Sequence, residues 1–266
     1  MKLKTKIKIL ILIIFVSILT GCKERMPISE KSAREKVLTT LKERYNEEFE
    51  VKTFTYSRYN KSYELEVYPK KNQKIVFKAR MLSQNGYRVS ERYTEEEWYM
   101  SMEKLLEPYV NKIGKKRIYY AGILPRDSEL YFRLLGNNIK FKEVKEKYAY
   151  TSIASAEIYV FRDVTPQNRE EILKSVYELI KFIKDEGFKT GTLNIKFYDE
   201  KYFADKDINK LLEISTWNNF SDNYKRYCRE WIWIREEKEF EKIKNYRNIK
   251  MENMKEFWKR MNIKIE

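Results

Sequence analysis

The segment "SIASAEIYVFRDVTPQNREEILKSVYELIKFIKDEGFKTGTLNIKFY", residues 152–198, carries the plainest fold signal in the chain. Its opening run, 152–163, is apolar and rich in β-branched and aromatic residues, which predicts a strand. Thr165-Pro166 then sets an N-cap residue before proline at a first helical position. Ile172, Leu173, Val176, Leu179, Ile180 and Ile183 recur at helical spacing and share one face. Gly187 ends that helix, and "TLNIKFY" (192–198) returns as a strand. The segment predicts a β-α-β unit.

Working outward, "KDINKLLEI" (206–214) predicts a short helix and "CREWIWIRE" (228–236) a strand, although Tyr224, Tyr227 and Trp231 also fit a helical spacing. The lysine-rich end from Lys238 reads as helix. On the N-terminal side, "KRIYYAGIL" (116–124) predicts a strand that Pro125 ends, and residues 126–152 offer only a short helix around "SELYFRLLG". Further back, Thr94 caps a helix on which Trp98, Met102, Leu105, Tyr109 and Ile113 recur, with Pro108 a candidate kink. "FEVKTFTY" (49–56), "SYELEVY" (62–68) and "KIVFKARM" (74–81) alternate as three strands. Ser32 with Glu35 forms a capping box before a helix whose face holds Val37, Leu38, Leu41 and Tyr45. The expected fold class is α+β, with antiparallel or mixed sheets and packed helices in two small subdomains. These are an α-β-β-β-α unit over 32–124 and a β-α-β unit with a C-terminal helix over 152–266, with the boundary in 114–152.

The first residues carry a different message. Lys2, Lys4, Lys6 and Lys8 form a positive region without an acid, and Ile9 through Leu19 are apolar apart from Ser17. That run is short of the roughly 20 apolar residues a bilayer crossing needs, and it suits the core of a signal peptide. It closes on Leu19-Thr20-Gly21-Cys22, which resembles the lipobox of bacterial lipoproteins. The resemblance covers only these first two dozen residues. It implies that the Cys22 thiol receives a diacylglyceryl group and that cleavage falls between Gly21 and Cys22, leaving 1–21 as a removed signal and 22–31 as a polar tether. Two or three acyl chains on one residue anchor stably where one does not. The expected location is the extracytoplasmic face of the cell membrane, or of an outer membrane in a host that has two.

The chain of 266 residues has a formal charge of +15, and losing residues 1–21 removes four lysines and no acid, leaving +11. Such a balance favours an anionic envelope polymer, lipid head groups or an acidic protein as neighbour. Export argues against nucleic acid. Lysine is mixed with glutamate along most segments, which also suits ordinary solvated faces. With Cys22 lipidated, Cys228 stands alone and reads as a small buried residue.

Histidine is absent, which excludes Ser-His-Asp and Cys-His catalysis and His-bearing zinc sites. Ser101-Met102-Glu103-Lys104, Lys189-Thr190-Gly191 and Ser221-Asp222-Asn223 match the three signatures of penicillin-binding proteins and serine β-lactamases. Their order departs from that family, where S-D-N lies between the other two, and Ser101 falls in mid-helix. Asp205-Lys206-Asp207-Ile208-Asn209 starts like a calcium loop, but Lys210 and Thr216 occupy the turn-glycine and closing-glutamate places. Asp199 with Glu200, and Glu95 to Glu97, suit helix starts better than an acid-base pair. No cofactor or metal site is expected.

"NYKRYCREWIWIREE" (223–237) is the strongest surface candidate. On a strand, Trp231 and Trp233 share a face with Arg229 and Arg235, and exposed aromatics beside arginines resemble interaction hot spots. The expectation is a non-enzymatic, lipid-anchored envelope protein with a binding role, of which an immunity-type lipoprotein is one version. The alternative is an envelope enzyme using a Ser/Lys or carboxylate site.

Overall fold

A computed structural model of the chain describes residues 28–83, 86–208, 210, 223–235 and 237–260. The chain divides into two units between Tyr93 and Thr94.

In the first unit, helix α1 (Glu30–Tyr45) is capped by Ser29, whose hydroxyl accepts the Ser32 N–H at 3.2 Å. The cap therefore stands three residues earlier than the expected Ser32. The helix thus takes in Glu30 and Lys31, which were expected to lie before it, and Asn46 at φ +52° stops it in the left-handed region. Ala33, Val37, Leu41 and Tyr45 form its buried face, which lies against β1 and β3. Strands β1 (Phe49–Ser57), β2 (Ser62–Pro69), β3 (Phe77–Leu82) and β4 (Arg88–Glu91) form an antiparallel sheet in chain order. Alternation along β2 buries Tyr63, Leu65 and Val67 and leaves Glu64 exposed. Strand β4 was not expected. It has four residues and only Val89 to bury, too little for an alternation signal.

The second unit holds a mixed sheet in the order β5-β6-β7-β8-β9. Helix α2 (Tyr93–Ile113) runs on through Pro108, which lies on the exposed side where water can serve the carbonyl left unbonded. Its buried residues Trp98, Met102, Leu106, Val110 and Ile113 belong to the core of this unit. The sequence-based boundary in 114–152 therefore falls too late. Helical spacing shows that a face is apolar without showing which sheet it covers. Strand β5 (Arg117–Pro125) is followed by α3 (Ser128–Gly136) and α4 (Phe141–Tyr148), the latter not expected.

Strand β6 (Ser152–Phe161), α5 (Arg169–Asp185) and β7 (Thr190–Tyr198) form the β-α-β unit, with β6 and β7 parallel. Thr165 and Asn168 exchange hydrogen bonds in a turn before the helix, so Pro166 precedes the first helical position that it was expected to fill. Gly187, at φ +90°, makes the C-terminal turn. A single turn, α6 (Glu200–Phe203), leads away from β7. The helix expected over 206–214 lies mostly outside the described residues. Strand β8 (Cys228–Ile234) pairs antiparallel with β7 and, through Glu230 and Trp231 at its middle, with the two-residue β9 (Glu252–Asn253). The lysine-rich end is two short helices, α7 (Glu237–Lys242) and α8 (Met254–Arg260), with a turn over Tyr246–Asn248 between them.

Helices α2 and α5 bury one face of the five-stranded sheet. Tyr109 on α2 stacks on Phe182 of α5 with centroids 4.2 Å apart. The opposite face is apolar at one end, where Tyr159, Phe161, Tyr198, Phe203, Cys228 and Met254 cluster. Among the described residues no helix is long and apolar enough to cross a membrane.

Candidate binding groove on strand β8

Strand alternation puts Trp231 and Trp233 on the same face of β8, and their rings stack with centroids 4.7 Å apart and planes 19° from parallel. Arg235, next in the alternation, holds its guanidinium 5.4 Å from the Trp233 ring centre. Trp231 is fixed from below: its Nε1–H donates to Asn194 Oδ1 at 2.6 Å, and Phe257 meets it edge-on at 5.1 Å. Asn194 in turn donates to Glu157 Oε1 at 3.1 Å, which also accepts from Tyr159 and Lys196. A chain of bonds across β6, β7 and β8 thus holds the inner tryptophan, while Trp233 is 46% exposed. Trp231 therefore serves the core in part, and Trp233 serves the surface.

The tryptophans border a groove of about 400 Å³ whose other walls are Arg235, Glu239, Lys250, Glu252, Phe257 and Arg260. A smaller depression of about 240 Å³ shares Trp233, Glu239 and Lys250 with it. Charge on the rim is partly cancelled: Arg260 reaches Glu252 at 3.3 Å, and Glu239 accepts the Arg235 backbone N–H at 3.2 Å. Arg235 and Lys250 have no ion pair among the described residues. One face of Trp233 meets Trp231 and the guanidinium of Arg235 covers the ring, so its edge and indole N–H are what it offers a ligand. Ring edges are electropositive. With two cations beside them, they suit an anionic group.

The expected surface set is otherwise only partly brought together. Arg229 is drawn toward α6, where it holds Asp199 at 2.6 Å, and it does not line the groove. Asp199 also caps α6 by accepting the Tyr202 N–H; Arg229 and that cap hold its carboxyl below the ordinary range. Lys250, Phe257 and Arg260 are groove residues that sequence reasoning missed. They stand 15 to 25 residues beyond Arg235 in a stretch without usable periodicity.

The three β-lactam-type signatures have local explanations. Ser101 lies within α2 with Lys104 exposed on the same helix. Lys189 sits over the Tyr150 ring at 3.7 Å, and Gly191 packs so closely on Phe240 that a Cβ would lie 2.4 Å from it. No hydrogen bond or ion pair among the described residues links Ser101 or Lys104 to Lys189. Ser221 lies outside those residues, as do Gly21 and Cys22. Glu95 is buried and accepts from the Tyr99 and Tyr131 hydroxyls, and Glu97 pairs with Lys140 at 3.0 Å. Asp207 accepts the Lys210 N–H, a capping contact. Cys228 is buried, and burial pushes its thiol up to about 12, which leaves it protonated and inert near neutrality. The Glu103 carboxyl is shifted in the opposite direction from that of Asp199. Burial pushes Glu103 up to about 7, against the Ala121 N–H that it accepts and with repulsion from Glu96 added. It meets β5, the edge strand of the sheet, and its role is to satisfy that edge amide.

No family model matches the chain, and no curated protein does. The crystal structure of a DUF5037 family protein from Ruminococcus gnavus ATCC 29149 is similar to it, with a TM-score of 0.51 at 18% identity, covering 76% of this chain and 91% of that one. At that identity the likeness concerns the fold alone, and it agrees with the α+β class.

Proposed function

We propose that this chain is a lipid-anchored extracytoplasmic envelope protein, not an enzyme, whose β8 groove binds an anionic group on a partner. Leu19-Thr20-Gly21-Cys22 supports the anchor. The observation that carries the binding role is the Trp231-Trp233-Arg235 ladder, held rigid from below and bordered by two cations without carboxylate partners among the described residues. A pre-organised aromatic and cationic surface of this size is the usual form of a small recognition site. Absent histidine and the local explanations for Ser101, Lys189 and the paired acids weigh against catalysis.

The test is a tryptophan-fluorescence titration of the full chain with phosphate-bearing and carboxylate-bearing polysaccharides. Binding by one of them is expected to fall at least about tenfold in Arg235→Gln/Lys250→Gln, the loss of two charge-assisted contacts. Equal affinity in wild type and the double variant contradicts the groove as the binding site.

A further inference from the structure

We propose that one end of the first unit is a membrane-contact surface, with the β1–β2 hairpin tip Arg58-Tyr59-Asn60-Lys61 lying in the anionic head-group layer. The inference rests on the lipid anchor proposed above. Its structural basis is where the chain comes into the fold. Ile28 is tied to the buried Tyr63: its N–H donates to the Tyr63 hydroxyl at 2.9 Å, and that hydroxyl donates back to the Ile28 carbonyl at 3.1 Å. Tyr63 pairs with Tyr56, two positions from the hairpin turn, and Ser62 pairs with Leu82, which pairs with Arg88. The register therefore puts Ile28, the β1–β2 tip and the β3–β4 turn at the same end of the sheet.

Ile28 is six chain steps beyond Cys22. Fully extended they span roughly 20 Å, so the lipidated residue holds this end of the unit close to the bilayer. The end is built for that neighbour. Tyr59 is 97% exposed at the tip, and Arg58, Lys61 and Arg88 are exposed around it with no ion pair among the described residues. Residues 51–63 and 67–90 contain no aspartate or glutamate. The acids nearest this end are engaged elsewhere: Glu30 holds Arg34 at 2.7 Å and Glu64 faces Arg80 at 3.8 Å. Glu24 in the tether is flanked by Lys23 and Arg25. A ring that is apolar in body and polar at its tip sits at head-group level, and exposed Lys and Arg near an anionic leaflet add attraction.

The experiment uses full lipidated Asn60→Cys carrying an environment-sensitive fluorophore, in vesicles with or without about a third anionic lipid and with quenchers attached at the head group. Vesicle flotation reads the anchor separately from the tip. The expected result is head-group quenching several-fold stronger on anionic than on zwitterionic vesicles. Arg58→Gln/Lys61→Gln/Arg88→Gln should bring it down to the zwitterionic level while flotation is unchanged. Floating protein whose fluorophore is unquenched on anionic vesicles, or quenched only on adding a soluble acidic polymer, overturns the proposal. Protein that fails to float overturns the anchor instead.

Discussion

Glu103 shows how a residue can be set against its own charge. Its folded pKa is raised to about 7 by burial, above the ordinary glutamate value, so the fold favours the protonated form. That contribution is full at pH values below the unfolded pKa and is lost as pH rises through about 7. Glu103→Gln keeps an acceptor for the Ala121 N–H without the charge. It should leave stability unchanged near pH 4 and raise it at pH 8 by about 1–2 kcal/mol, the linkage value discounted because the side chain is only partly buried. Chemical denaturation at the two pH values checks this, and an equal gain at both would show that desolvation of the carboxylate is not the cause. Gly191 makes a second residue-level case. Because a Cβ there would meet the buried Phe240 ring at 2.4 Å, Gly191→Ala should lower the midpoint of thermal unfolding, at a cost of about 1–3 kcal/mol typical of overpacking. The glycine of the K-T-G triplet is there for packing, which no motif comparison could have told.

At the scale of elements, the tryptophans of β8 separate stability from recognition. Trp231→Ala removes a ring that packs on Phe257 and donates to Asn194. It should destabilise by about 2–3 kcal/mol, somewhat below a fully buried tryptophan. Trp233→Ala should cost under about 1 kcal/mol because nearly half of that residue is exposed. Urea unfolding of the two variants, beside the polysaccharide titration, distinguishes the roles; similar losses of stability would mean that both rings are structural. The strand itself was legible from the alternation of Trp231, Ile232, Trp233 and Ile234, as was the β-α-β unit from Ile172 through Ile183. Strand β4 and helix α4 were not legible, since Arg88–Glu91 and Phe141–Tyr148 are short and largely polar. The cap at Ser29 was missed because Ser32 satisfies the same local rule three residues later. The far wall of the groove was hidden for another reason. Lys250, Phe257 and Arg260 join it through tertiary packing, and no local period marks them.

At the scale of the whole molecule, the described residues form two α+β units, and the apolar face of α2 shows how a unit boundary escapes sequence reading. Trp98, Met102 and Leu106 announce burial, but only three-dimensional packing assigns them to the second unit. The excess positive charge has a physical counterpart at both proposed contact surfaces, in Arg58, Lys61 and Arg88 at one and Arg235 and Lys250 at the other. Both surfaces draw their meaning from an anchor read in four residues. The most direct test of that anchor is fractionation of cells expressing wild type and Cys22→Ala. The wild type should be recovered with the membranes and enter the detergent phase, and the variant should lose both properties. Equal membrane recovery and detergent partitioning of the two proteins would contradict the account.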